Sequence, residues 1–187
     1  AIIIPTRLNA QRLPNKPLKL INSKEMIIHV YQAAVKSNAG EVYVASPDTQ
    51  IIDLIKKSGG NAIKTSENHE TGTDRVYEVF KNKLKNKPDL VINLQGDMPN
   101  IKPETISNLV QYMKKKRCDI CTLASDIKSE DELNNVNIVK VEVKENLSEN
   151  LFRNAIDFFR LKKQTSNKLY HHIGIYAFTN KALIRYV

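Results

Sequence analysis

Arg7, Arg12 and Lys16 follow one another at intervals of five and four residues within Pro5-Thr6-Arg7-Leu8-Asn9-Ala10-Gln11-Arg12-Leu13-Pro14-Asn15-Lys16-Pro17-Leu18. Planar guanidinium forks and a mobile ammonium are the groups that neutralise a polyphosphate and grip its oxygens. The prolines and amides between them offer no regular helix or strand, so the three cations belong to a loop. The plain alternative is a solvated basic loop. A second constellation is Leu94-Gln95-Gly96-Asp97-Met98-Pro99, where a glycine and then a carboxylate follow an apolar run. One such Asp suits Mg²⁺, which takes one or two carboxylates and fills its shell with water and phosphate oxygens. Asp97 as a turn residue is the alternative; five residues separate it from Pro103 and make it a poor cap for the helix starting there.

Two further strings carry polar groups. In His69-Glu70-Thr71-Gly72-Thr73-Asp74-Arg75, Thr71 and Gly72 would let amides and a hydroxyl approach a ligand closely. Thr73 or Asp74 would instead cap the helix that begins there, and the residues alone favour capping. In Tyr170-His171-His172-Ile173-Gly174-Ile175-Tyr176, adjacent histidines on a strand face opposite ways, which argues against a paired metal site. One of them facing a cleft would bind a hydroxyl or carboxylate.

The elements that must position these groups follow from periodicity. Ile2-Ile3-Ile4 closed by Pro5 reads as a buried strand that stops abruptly. Ile27, Val30, Tyr31 and Ala34 form a helical stripe, residues 42–45 a strand, and Ile51, Ile52 and Ile55 a helix ended by Gly59-Gly60. Val76, Val79, Phe80 and Leu84 mark a third helix, residues 90–94 a strand, and Pro103 opens a helix carrying Ile106, Leu109, Val110 and Met113. Strand and helix in alternation predict an α/β fold, a mostly parallel sheet with helices on both faces. Ligands in such sheets lie beyond the carboxyl ends of strands, where the opening loop and the Asp97 turn both fall. After Ser125 the rhythm changes: residues 139–143 and 173–178 are strand-like, and 145–169 show no readable pattern.

With 187 residues, 41% hydrophobic and 26% charged, the chain suits one soluble core. No apolar run approaches a membrane span and no leader precedes Ile2, so a cytoplasmic protein without membrane attachment is expected. Both ends of the chain read as cut. A net charge of +9 favours anionic partners. Much of it is scattered Lys, and Lys114-Lys115-Lys116-Arg117 falls at a helix end, where cations meet the negative dipole. Aromatic interleaving is absent, so nucleic acid is not an expected partner. Cys118 and Cys121 form one Cys-x-x-Cys with no second pair, which favours reduced thiols, Cys121 in the core.

The opening loop resembles that of the 3-deoxy-manno-octulosonate (Kdo) cytidylyltransferases in Pro5-Thr6-Arg7 and in Arg12-Leu13-Pro14-Asn15-Lys16-Pro17-Leu18. The Asp97 turn is similar to the family's Gln-Gly-Asp, with Met98 in place of a frequent acidic residue. Thr71 to Arg75 is similar to its Ser/Thr-Gly-Thr-Glu/Asp-Arg, and His172 to Tyr176 to its His-x-Gly-x-Tyr. The resemblance implies a Rossmann-like sheet of the nucleotide-diphospho-sugar transferase type with a small irregular β insertion in the C-terminal half. It implies CMP transfer from CTP to Kdo with release of pyrophosphate, serving lipopolysaccharide biosynthesis, with a homodimer as the expected assembly. Arg12, Lys16 and Asp97 are then the catalytic residues and Asp97 the Mg²⁺ ligand. Arg7, Thr71, Gly72, Thr73, Arg75 and Gln95 join Arg12 and Lys16 on the nucleotide, and Gln95, His172 and Tyr176 face the sugar. Arg153 stands where the family has an Arg after Phe-Ser, though the Ser is absent. Later family segments, one bearing a second metal-binding Asp, do not occur. The chain is therefore expected to be one nucleotidyltransferase domain, 1–187, incomplete at its C-terminus, with 126–172 as an insertion or subunit-contact region. Rival readings are another sugar nucleotidyltransferase such as a CMP-sialate synthetase, whose opening loop is richer in Gly and Lys, a non-catalytic nucleotide-binding module, and a basic nucleic-acid-binding domain.

Overall fold

β-branched runs and apolar helix stripes alternate along the chain, and a computed structural model turns them into strands and helices. It describes residues 1–9, 13–116, 118–148, 151–161 and 163–187. Strand β1 (Ile2–Pro5) leads to a 3-10 turn (Lys16–Leu18), the short hairpin β2 (Leu20–Ile21) and β3 (Lys24–Glu25), helix α1 (Met26–Lys36), β4 (Val42–Ser46), α2 (Thr49–Lys57) and β5 (Asn61–Lys64). Next come α3 (Gly72–Glu78), prolonged by a π-helical turn (Val79–Lys83), β6 (Leu90–Asn93), α4 (Pro103–Lys116) and β7 (Ile120–Ser125). Helix α5 (Glu130–Asn134), β8 (Lys140–Val143), β9 (Ala155–Phe159), β10 (Lys168–Thr179) and α6 (Asn180–Tyr186) complete the order.

The chain divides into two units, Ala1–Cys121 with Ile175–Val187, and Thr122–Gly174. In the first, β5, β4, β1 and β6 run parallel in that spatial order, and the end of β10 pairs antiparallel with β6, Tyr176 opposite Asn93. Ile2, Ile3 and Ile4 are all fully buried. Successive strand residues point to opposite faces, so both faces of β1 are covered, as a parallel sheet requires. Ile3 packs in a cluster with Val76, Val79, Phe80, Val91, Phe178 and Leu183, which ties α3 and α6 to the sheet. Helix α2 buries Ile51, Ile52 and Ile55, and Gly59 follows it at φ 75°, a left-handed stop that glycine adopts without strain. Helix α4 carries Lys114 and Lys115 in its last turn; Arg117 lies outside the described residues. Cys118 and Cys121 are free, and burial, then Cys118, pushes the Cys121 thiol pKa up. No helix among the described residues is long and apolar enough to cross a membrane.

In the second unit, β8 pairs antiparallel with both β9 and the start of β10 around Val141, Val143 and Tyr170. Residues 145–169, which show no pattern in the sequence, thus contain a strand. The fully buried Lys140 donates to the carbonyls of Asn135 (2.6 Å) and Arg160 (2.7 Å), which satisfies its ammonium. Lys163, Thr165 and Asn167 converge on the Glu142 carboxylate and pull its pKa down to about 2.

Phe178, 1% exposed, stands at the centre of the first unit's cluster. Phe178→Ala is expected to cost about 3–5 kcal/mol, read as a lower urea midpoint with little change in the slope of the transition.

Candidate active site

Three segments reach one cavity of about 250 Å³: the loop after β1, the start of α3, and the turn after β6. Close packing explains why glycines stand where they do. A Cβ on Gly96 would lie 3.0 Å from the Thr6 Cβ and 3.1 Å from the Pro5 carbonyl oxygen. A Cβ on Gly72 would meet the Pro5 ring at 3.3 Å and the Gln95 side chain at 3.5 Å. The end of β1 is therefore gripped from two sides. The loop is also fixed at Leu8, whose N–H donates to the Asp48 carboxylate at the end of β4 (2.8 Å).

Arg7, Lys16, Pro17, Met26, His69, Glu70, Thr71, Gly72, Arg75, Gln95, Gly96 and Asp97 line the cavity with Pro5 and Thr6. Asn15, left-handed at φ 56°, turns the chain into the 3-10 turn that begins with Lys16. The Lys16 ammonium then donates to the Asp97 carboxylate at 2.7 Å, across 81 residues of sequence. Arg75 is buried, and one of its terminal nitrogens donates to the Thr65 hydroxyl and to the Ser66 carbonyl (2.7 Å). Burial first, and then the Arg7 guanidinium, lower its pKa; it stays a cation whose field adds to that of Arg7 and Lys16.

The segment from Ser66 to Gly72 is braced from α3. His69 donates through Nε2 to the Glu78 carboxylate (2.6 Å), which also accepts the Ser66 N–H (2.9 Å). Burial would raise the Glu78 pKa, but these two contacts outweigh it and hold the carboxyl below its ordinary value. The cap of α3 is Thr71, with Asp74 completing a reciprocal capping box; neither Thr73 nor Asp74 is the cap residue itself. Thr73 turns instead to the sheet, where its hydroxyl accepts from the fully buried Asn93 amide (3.1 Å), and Gln95 donates to the same Asn93 (2.9 Å).

Of the residues expected at the site, Arg7, Lys16, Thr71, Gly72, Arg75, Gln95 and Asp97 share the cavity, whereas Thr73 is not in its lining. Arg12 lies outside the described residues. Tyr176 belongs to the first unit but is not in the lining; it stacks on Phe178 with ring centroids 6.0 Å apart. His172 belongs to the second unit, 2.9 Å from the Thr122 hydroxyl and edge-on to Phe158, and burial lowers its pKa. Arg153 pairs with Glu145 at 2.8 Å. Sequence reasoning did not assign Glu78, Asn93 or Asp48. A polar residue ending an apolar strand marks Asn93, and a carboxylate just after one marks Asp48, the same signals that mark Asp97.

Asp97 is a hard oxygen donor, half exposed, in the lining of a cavity that it shares with the cations Arg7, Lys16 and Arg75. Among the described residues no three His, Cys, Asp or Glu side chains come together. That donor set fits Mg²⁺, which keeps water and takes substrate oxygens, and does not fit a transition metal held by a protein cage.

A mostly parallel sheet with a cationic cavity at the carboxyl ends of its strands suits an anionic ligand, and the family described as Cytidylyltransferase, a class of nucleotidyltransferases, matches residues 1–187. The 3-deoxy-manno-octulosonate cytidylyltransferase of Brucella canis is 40% identical over 187 residues, covering 99% of this chain and 74% of its own length. That of Paramagnetospirillum magneticum is 36% identical over 188 residues, covering 100% and 76%. The structure of a CMP:2-keto-3-deoxy-manno-octonic acid synthetase complexed with CTP superposes with a TM-score of 0.86 at 37% identity, over 99% of this chain and 76% of that one. A cytidylyltransferase from Leptospira borgpetersenii, 17% identical with a TM-score of 0.62 over 98% of this chain and 61% of its own, shares the fold. The chain belongs to the 3-deoxy-manno-octulosonate cytidylyltransferase family of nucleotidyltransferases.

Two outcomes follow from the packing around the cavity. Gly96→Ala would press on Thr6 and the Pro5 carbonyl, which must give by a few tenths of an ångström, with an expected loss of about 1–3 kcal/mol and weakened nucleotide binding by calorimetry. Because Glu78 has a depressed pKa in the folded state, its contribution is present above the unfolded carboxyl pKa of about 4.3 and fades as pH falls through the lower folded value. Glu78→Gln should therefore narrow the stability difference between pH 7 and pH 3, measured by denaturant unfolding at each pH.

Proposed function

We infer that the cavity binds CTP and that the chain transfers CMP to Kdo, giving CMP-Kdo and pyrophosphate. The observation that carries this reading is the convergence of Arg7, Lys16, Arg75 and Asp97 on one cavity, from the loop after β1, helix α3 and the turn after β6. A polyphosphate needs cations brought together in this way, and the buried guanidinium of Arg75 adds its field to theirs. The anomeric hydroxyl of Kdo attacks the α-phosphorus, forming the new O–P bond and giving up its proton, while the α–β bridging bond breaks and pyrophosphate departs with its electrons. Lys16 and Arg12 hold the departing phosphates, with Arg7 beside them. Thr71, Gly72 and Arg75 border the nucleoside, Thr73 supports that border through Asn93, and Gln95 lies between nucleotide and sugar. His172 and Tyr176 are assigned to the sugar by family resemblance. Asp97 holds Mg²⁺, which supplies charge to the phosphate oxygens and acidity to the attacking hydroxyl. Catalysis is positioning and charge neutralisation, without a covalent intermediate. The same reading includes a cytoplasmic homodimer whose product enters lipopolysaccharide assembly.

The test is pyrophosphate release by the full-length protein across the four nucleoside triphosphates, with Kdo or sialic acid as acceptor. Release is expected with CTP and Kdo, and Asp97→Asn should lower it on the order of a hundredfold or more with an unchanged circular dichroism spectrum. Equal release with sialic acid would reassign the sugar. CTP binding without any release would make the chain a binding module.

A further inference from the structure

Lys16 and Asp97 are wanted apart by the proposed reaction, the ammonium on the phosphates and the carboxylate on Mg²⁺, yet they are in contact at 2.7 Å. Their side chains are 36% and 53% exposed, so water reaches both and the pair is easily parted. A bare divalent cation approaching Asp97 meets the Lys16 ammonium already in place, with Arg7 and Arg75 lining the same cavity. Glu70 is the other carboxylate of the lining, but among the described residues no group of three His, Cys, Asp or Glu is assembled to hold the ion by itself. A nucleoside triphosphate reverses each of these terms. Its oxygens draw the ammonium away, neutralise the guanidinium groups and bring the oxygen ligands that the chain does not provide.

We propose that Lys16, besides its contact with phosphate, guards Asp97, so that the divalent cation binds this enzyme more weakly alone than together with the nucleoside triphosphate. The proposal rests on the functional reading above, in which Lys16 meets phosphate and Asp97 meets the metal. It predicts that Lys16 and a cation compete for one carboxylate in the nucleotide-free protein.

Mn²⁺ added to the full-length protein without nucleotide should broaden the amide signals of Gly96 and Asp97 in proportion to its occupancy at the carboxylate. Lys16→Met is expected to tighten that Mn²⁺ binding roughly fivefold, the scale of an exposed ion pair. Lys16→Gln should show the same gain if Met disturbs the loop, Lys16→Arg should stay at the wild-type level, and Asp97→Asn added to Lys16→Met should remove the site. Equal Mn²⁺ affinity in the wild type and both neutral variants would overturn the guard, as would broadening that survives Asp97→Asn. If the variants gain the Mn²⁺ site while the wild type releases no pyrophosphate from CTP and Kdo, the functional reading falls and the guard stands.

Discussion

The close approach of two glycine-bearing turns to the end of β1 is the constraint on which the site depends. Ile2 to Ile4 are buried on both faces, so β1 can be neither moved nor lengthened without disturbing the core. Pro5 ends the run, and the Thr6 N–H still pairs with the Ala45 carbonyl at 3.0 Å. Beyond that point the chain is free to turn, but only where Gly96 and Gly72 leave room against Pro5 and Thr6. A side chain at Gly96 would press the Asp97 turn against Thr6 and the Pro5 carbonyl, at the start of the loop that carries Lys16. The ion pair between Lys16 and Asp97, 81 residues apart in sequence, is thus a consequence of backbone contact.

The sheet was legible in the sequence wherever an element had to be buried. The β-branched run of β1, the apolar residues 90–94 and the helical stripes of α1, α2 and α4 each carry the period of the structure they form. The elements that escaped lack that signature. Strands β2 and β3 have two residues each, and Asn61 and Lys64 bracket β5 with exposed polar side chains. Strand β9 exposes Ile156 and Phe158, 53% and 44%, so its composition does not announce a buried face. Residue type and spacing marked Arg7, Lys16 and Asp97 in the sequence, and the fold brings these three to one cavity. The supports of the site were not marked in this way. Glu78 braces His69 from two turns along α3, Asn93 reaches Thr73 across 20 residues, and Asp48 reaches Leu8 across 40. Such partnerships are fixed by which elements lie side by side, information that only the folded sheet contains. For the same reason Thr71 and Asp74 had to be seen together before the cap of α3 could be assigned, since either residue alone is an ordinary candidate.

The contacts around the cavity fall into two kinds, and the difference bears on catalysis. Arg75, His69 and Glu78 are tied to groups of their own segment and are largely shielded from water, so they hold their positions before any ligand arrives. Preorganised charge of this kind stabilises a transition state without reorganising during the reaction. Among the described residues Lys16 and Asp97 pair with each other, and both stand in partial contact with solvent, where exchanging one ionic partner for another costs little. A triphosphate and its cation must enter and pyrophosphate must leave, so some groups in the site have to change partners in every turnover. In the proposed reading that role falls to Lys16 and Asp97, and the rigid contacts lie around the nucleoside, the part of the substrate that should be recognised in one orientation. A site with every cation locked as Arg75 is would bind pyrophosphate too firmly to release it. One with every cation as loosely held as Lys16 would spend binding energy on ordering its own side chains.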